Sequence, residues 1–252
     1  VMEGAKMIAR AAASTLGQAI LPLTFVPTNY HTGACFDASL PDGSRDQALL
    51  AKVVIVDPEC MTGMSQKERA VSGFAALSEC ISAYTAADAQ PLTDAMALYA
   101  IDILNDKLAG VCTDHADKGA WEKVVLAGVI GSMVAAETGS QVAKGLAQAV
   151  AKTSFPADEV LLAAIVPVVI DAKAGKDPFL YGKLARTMGG FTSDDCAARL
   201  CYLAKALHLD LRIADMGVHE DDIANMAEAY IGEEAAEAVQ EKAAAMEAAF
   251  DS

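Results

Sequence analysis

The chain has 252 residues, 54% hydrophobic but only 6% aromatic; this Ala-rich mix favours helices, and the length suffices for a real core in one large domain or two modest ones. Its 34 acidic and 19 basic residues give a net charge of −15, and with no Lys/Arg cluster to meet phosphates or anionic headgroups, nucleic-acid and membrane-surface roles are excluded. Six cysteines at 35, 60, 80, 112, 196 and 201 form no C-x-x-C pair, a scatter expected of small buried thiols in a reducing cytoplasm.

Residues 2–13 predict a helix with Met2, Ala5, Ile8 and Ala9 on one face, ended by Gly17. Residues 19–28 (AILPLTFVPT) read as a buried strand running into a loop at Pro27, and residues 29–37 as loop. Pro41-Asp42-Gly43 is a turn signal. Residues 52–59 (KVVIVDPE) form the clearest strand, four branched residues stopped by Asp57-Pro58. No convincing strand follows. Helices are expected at 65–85, 91–108, 118–136, 138–152, 156–173, 178–187, 193–208, 219–230 and 233–250, the last a solvated Ala/Glu helix. Ser65 with Glu68 and Thr192 with Asp195 have capping-box spacing, and Pro91 suits a first helical turn. The apolar run 160–170 contains Pro167 and has 11 residues, against about 20 needed to span a bilayer; it reads as buried helix. No secretory signal pattern opens the sequence. The expected fold class is mostly α: an all-helical C-terminal domain, 61–252, behind a short α/β segment, 1–60.

Four stretches in order resemble the iron-containing alcohol dehydrogenase family, within the dehydroquinate-synthase-like group. LTFVPTNYHTGACFD (23–37) looks like the family loop P-T-T-x-G-T-G-S-E. The segment 53–104 resembles the strand-then-helix unit in which D-P, G-x-D-A-L-x-H and N-P-x-T-D recur. FPADEVLLAAIVPVVI (155–170) is similar to the segment from P-H-G to L-P-x-V, and 188–230 to the late helices with their G-V-x-E-x-D-I start. The resemblance implies that 1–60 is a partial nucleotide-binding domain, with an active site in the cleft facing the helical domain. Family members are generally longer at the N-terminus. Glu3, Ala5 and Lys6 match only the end of G-G-G-S-x-x-D-x-A-K, so the chain is expected to be either a fragment or a protein that has shed part of its cofactor domain.

The family holds a divalent metal, Fe or Zn, with one Asp and three His. A D-x-x-x-H pair places two ligands on one helix face, and the metal polarises the alcohol oxygen for hydride transfer to NAD(P). By resemblance the ligand positions here are Ala75, Glu79, Lys144 and Asp158; counting along the third helix also allows Ser140 and Gln148. No ligand is kept in kind. One reading joins Glu79, Lys144 and Asp158 in a salt bridge replacing the metal; another leaves them as solvated cleft walls; a third retains metal binding. The resemblance puts Thr28, Asn29, Thr32 and Gly33 in contact with the cofactor. Tyr30, His31 and Cys35 fall where that loop faces the cleft, while His115, His208 and His219 read as solvated or capping residues.

The implied function is NAD(P)-dependent oxidoreduction of a small alcohol or aldehyde, impaired by the missing metal ligands. The alternative is a catalytically inactive binding or assembly subunit, a homo-oligomer or the partner of an active paralogue. Neither involves nucleic acid or membrane, and the expected location is the cytoplasm.

Overall fold

The computed structural model describes residues 2–38, 40, 44–87, 89–113, 117–138 and 158–209, and long helices occupy most of those described beyond Pro58. The first helix, α1 (Met2–Leu16), runs about one turn further than expected and ends as predicted at Gly17, which has φ +62°. A Cβ disfavours that left-handed conformation. The Gln18 N–H closes the end on the Ala13 carbonyl at 3.0 Å. The expected apolar face is not buried as a unit. Ile8 is 71% exposed, whereas Lys6 is buried, its ammonium donating to the Asp37 carbonyl.

The two predicted strands form a pair far shorter than their apolar runs. Strand β1 (Thr24–Phe25) lies parallel to β2 (Val53–Val54), with Thr24 opposite Val53 and Phe25 opposite Val54. Bonds from Lys52 N–H to Leu23 O and from Ile55 N–H to Phe25 O extend the ladder slightly. Pro22 and Pro27 bracket β1 and offer no N–H to a ladder. The expectation of a buried strand is corrected for most of its length: Phe25 is buried, but Leu21, Val26, Val53 and Ile55 are exposed. A parallel sheet is normally covered on both faces, and the described residues cover this pair incompletely. The predicted loop at 29–37 also contains a single helical turn, α2 (Gly33–Phe36).

The helical part consists of α3 (Gln66–Tyr84), α4 (Pro91–Val111), α5 (Lys118–Glu137), α6 (Asp158–Ala174), α7 (Pro178–Thr187) and α8 (Asp195–Ala206). Each starts and stops within three residues of its predicted bounds; the helices expected at 138–152, 219–230 and 233–250 lie outside the described residues. Helix α3 is central. Residues 72–84 are buried throughout, because α4, α5 and α6 all pack against it and its Gly73, Ala75, Ala76 and Ala83 admit close neighbours. Its Leu77 and Ile81 share the core with Ile101, Leu104, Leu108, Val124 and Leu184, all buried. Helix α6 carries Pro167 within its length, and residues 163–170 are buried. Among the described residues α5 alone is long and apolar enough to cross a membrane, with a mean hydropathy of 1.3 over its best window; 56% of that window is buried in the protein.

The start signals are realised to different degrees. Ser65 and Glu68 form a full capping box: Ser65 Oγ accepts from the Glu68 N–H at 3.3 Å and Glu68 Oε2 from the Ser65 N–H at 2.7 Å. Pro91 stands in the first turn of α4. Thr192 does not cap in the expected sense. Asp195 Oδ2 accepts from the Phe191 and Thr192 N–H groups, and α8 starts two residues later than predicted.

Candidate functional site

The loop at 28–33 is fastened to the helical part by its own backbone. Ser72, near the start of α3, accepts with one Oγ from the N–H of Tyr30 at 3.1 Å and of His31 at 3.0 Å. Ser132 on α5 accepts from the Thr32 N–H at 2.9 Å. A hydroxyl has two acceptor sites and one donor, and Ser132 uses its donor on Glu79 Oε2 at 3.2 Å. One side chain thus joins the loop, α5 and α3.

Two glycines on α5 permit this approach. A Cβ on Gly128 would stand 2.8 Å from the Tyr30 carbonyl oxygen and 2.9 Å from Tyr30 Cβ. On Gly131 it would meet Cys80 Sγ at 2.7 Å and the Ala76 carbonyl oxygen at 3.0 Å. The loop and α3 therefore lie against bare α5 backbone. Tyr30 is fully buried, its ring edge-on to Trp121 with centroids 5.6 Å apart. Trp121 Nε1 donates to the Pro58 carbonyl at 3.0 Å, and Arg69 lies 5.3 Å from the indole centroid. Burial, aided by the nearby Cys112, raises the Tyr30 phenol well above its ordinary range, and Arg69 partly opposes this. Tyr30 at pH 7 is a neutral packing residue.

At the centre is Glu79, with no exposure to solvent. Its Oε1 lies 2.9 Å from His31 Nε2, and the His31 side chain is 19% exposed. A Cβ on Gly33 would approach the same Oε1 to 3.3 Å. The carboxylate is therefore enclosed by the loop on one side and Ser132 on the other. One turn earlier on α3, Ala75 is also fully buried and offers only a methyl group. Beside Glu79, the Cys80 thiol is pushed far up, first by burial and then by the Glu79 charge.

The predicted site residues divide as follows. The Thr32 N–H is linked to Glu79 through Ser132, and an added Cβ on Gly33 would stand 3.3 Å from Glu79 Oε1; the Thr32 side chain is buried, and its hydroxyl has no hydrogen-bond partner among the described residues. Thr28 is exposed and Asn29 half-buried, so both side chains are positioned at or near the surface. Asp158 is the first residue of α6. Lys144, with Ser140 and Gln148, lies outside the described residues, as do His115 and His219. Cys35 is buried, its thiol pushed up to about 11 by desolvation against the opposing charge of Lys6, and its sulfur sits 3.2 Å from Met2 Sδ. His208 follows α8 in the left-handed region, φ 55°, in keeping with a helix-end role. Ser72 and Ser132 were not predicted. The His31–Glu79 contact was readable in part, since the resemblance sets His31 at a family glycine and Glu79 at a family histidine.

Residues 69–248 match the model of the Fe-containing alcohol dehydrogenase family, C-terminal part. Alcohol dehydrogenase 4 of Saccharomyces cerevisiae is 26% identical over 187 residues, 73% of this chain and 49% of that protein. Lactaldehyde reductase of Escherichia coli is 28% identical over 188 residues, covering 71% and 49%. The NADPH-dependent butanol dehydrogenase of Clostridium saccharobutylicum is 26% identical over 179 residues, covering 69% and 46%. The chain spans about half the length of these curated relatives. In fold it is similar to a solved 1,3-propanediol oxidoreductase, with a TM-score of 0.81 at 22% identity over 96% of this chain and 74% of that one. Maleylacetate reductase from Agrobacterium tumefaciens gives 0.78 at 21% identity over 96% and 77%.

Proposed function

Since the chain belongs to the iron-containing alcohol dehydrogenase family, we propose that it is an NAD(P)-dependent alcohol or aldehyde oxidoreductase by lineage, with metal-dependent turnover impaired at Ala75 and Glu79. The observation that carries this reading is the fastening of the loop at 28–33 to the buried carboxylate of α3 through Ser132. It sets the cofactor-contact loop of the family directly against its ligand helix.

The described donors do not fit the family's metal. Ala75 has no ligating atom, and Glu79 is already engaged by His31 and Ser132. Four-coordinate sites of this type need at least three protein donors, and the described residues contain no group of three His, Cys, Asp or Glu side chains able to meet on one ion. No catalytic step is therefore assigned to a metal here.

The nucleotide fits in part. The N–H groups of Tyr30, His31 and Thr32 are taken by Ser72 and Ser132, so a bound phosphate would draw on Thr28 and Asn29, whose side chains can donate to it. The nicotinamide, when bound, exchanges hydride with the carbon of the alcohol or aldehyde. The chain's own contribution is to hold the loop rigid, exclude water through the Tyr30–Trp121 packing, and present the partly exposed His31 toward the cleft. Small alcohols and aldehydes are the proposed substrate class, by likeness to the alcohol dehydrogenase and lactaldehyde reductase relatives.

The test uses the purified chain with NADH or NADPH, a panel of short aldehydes, and Fe(II) or Zn(II) with and without chelator. The expected result is a thermal shift with one of the nucleotides and turnover that neither metal nor chelator changes. Turnover abolished by chelator and restored by metal would contradict the impairment. No thermal shift with either nucleotide would contradict the oxidoreductase reading.

A further inference from the structure

We propose that Arg69, Tyr30 and Cys112 together hold a small monovalent anion of halide type beside Trp121. Three elements deliver these side chains. Tyr30 comes from the loop at 28–33, Arg69 from the first turn of α3 and Cys112 from the C-terminal end of α4. They gather around one indole. The Tyr30 ring centroid lies 5.6 Å from that of Trp121, and Arg69 Cζ lies 5.3 Å from it. Cys112 belongs to the same buried cluster as Tyr30 and Trp121.

Two of the three groups carry donors with nothing to donate to. Tyr30 Oη and Arg69 Nε are both buried and have no hydrogen-bond partner among the described residues. The bond that Arg69 does make, from Nη2 to the Thr62 carbonyl, is long at 3.4 Å. No carboxylate is paired with Arg69 among the described residues. A guanidinium keeps its charge wherever proteins stay folded, and a cation drawn out of water needs a countercharge. The indole face compensates it only in part. In a chain of net charge −15, a half-buried cation without a carboxylate is the exception, and an exchangeable anion accounts for it.

The chemistry of the three groups selects the ligand. Burial, then Cys112, raises the Tyr30 phenol above its ordinary range, so its O–H is present to donate. Burial pushes the Cys112 thiol up to about 11 against the charge of Arg69, so it offers a weak S–H donor. The guanidinium has donors only, and an anion, unlike water, also supplies the missing countercharge. One positive charge balances one negative charge; a dianion would keep charge uncompensated in a buried place. Met61, Met64 and Trp121 in the same cluster are apolar and polarisable, which suits weakly hydrated chloride, bromide or iodide over fluoride. The donors are also set in advance. Ser72 fixes the Tyr30 backbone, and the Thr62 carbonyl and Trp121 fix the guanidinium.

Trp121 is the single tryptophan of the chain and is 8% exposed, so its emission reports an ion that reaches this place. The full chain is titrated with sodium iodide or bromide while sodium fluoride holds the ionic strength constant. The expected result is quenching that saturates and is displaced by chloride. Tyr30→Phe removes only the hydroxyl and should weaken binding about tenfold, the equivalent of one hydrogen bond to a charged group. Arg69→Met removes the charge and should abolish saturation. Quenching that rises linearly and equally in wild type and both variants is collisional and would overturn the proposal. Saturation that survives Tyr30→Phe at full affinity would overturn it too, since the halide would then sit elsewhere. If Arg69→Met does not fold, as judged by circular dichroism, Tyr30→Phe decides alone. Bromide-soaked crystals give the second measurement. An anomalous peak between Arg69 Nε and Tyr30 Oη is expected; an ordered water there, or no peak, would overturn the proposal. The site is independent of the oxidoreductase reading, and loss of nucleotide binding would not move this titration.

Discussion

Ser132 is the residue on which the site geometry turns. It accepts from Thr32, 100 residues away in sequence, and donates to Glu79, 53 residues away. Ser132→Ala leaves a buried N–H and a carboxylate oxygen without that partner, and it should cost about 1–3 kcal/mol in chemical denaturation. Ser132→Thr keeps the hydroxyl and should recover part of the loss. Gly128 and Gly73 form an instructive contrast. A Cβ at Gly128 meets Tyr30 backbone, which cannot yield without moving the loop; at Gly73 it meets the end of the Leu108 side chain, which can rotate. Gly128→Ala should therefore cost roughly 1–3 kcal/mol and alter Trp121 fluorescence through Tyr30, whereas Gly73→Ala should cost less and leave the emission unchanged. None of these contacts could be read from the sequence, because a serine or glycine in an apolar helix carries no local mark of what lies opposite it. His31 and Glu79 did carry such a mark, as two departures from one family pattern, but only the fold shows that they meet.

At the scale of elements, the helices were legible because their signals are local. Ser65 with Glu68, Pro91 and Gly17 each act within one turn, and each marks an observed boundary. The strands were less legible. The branched run at 52–59 predicts β structure, but how much of it pairs depends on a distant neighbour, and only Val53 and Val54 belong to β2. The start of α8 shows how a capping residue becomes a pH-dependent element. Backbone N–H groups of Thr192 and Phe191, then the Thr192 hydroxyl, hold the Asp195 carboxyl below its ordinary value of 3.8; Ser65 likewise holds Glu68 below 4.5. A carboxyl whose folded value is depressed contributes stability that is present above its unfolded value and lost as pH falls through the folded one. Wild-type stability should therefore decline as pH drops below about 4, and Asp195→Asn, which keeps an acceptor but no charge, should show a shallower decline in a Tm-against-pH series.

Across the described residues, burial is continuous through the helices beyond Ser65 and sparser in the N-terminal segment. Leu21, Val26, Val53, Ile55, Met7 and Leu16 are exposed on that segment, whereas α3 is enclosed along most of its length. The cysteines report this division. Cys35, Cys80, Cys112 and Cys196 are buried, and burial raises all four thiols, to about 11 at Cys35 and Cys112 and about 12 at Cys196. Cys60 is exposed and Cys201 intermediate. A disulfide-exchange reagent at pH 8 should titrate Cys60 rapidly and Cys201 more slowly, with the other four reacting only in denaturant; rapid reaction of Cys35 alone would show that the N-terminal segment opens independently.

The proposed impairment is that Ala75 and Glu79 leave the chain without the family's metal, with His31 2.9 Å from Glu79. It is tested most directly by a crystal structure of the chain soaked with Zn(II), with diffraction recorded at the zinc absorption edge. His31 Nε2 should be found in direct contact with Glu79 Oε1, with no anomalous peak between them. A strong anomalous peak within about 2.2 Å of the Glu79 carboxylate would contradict it.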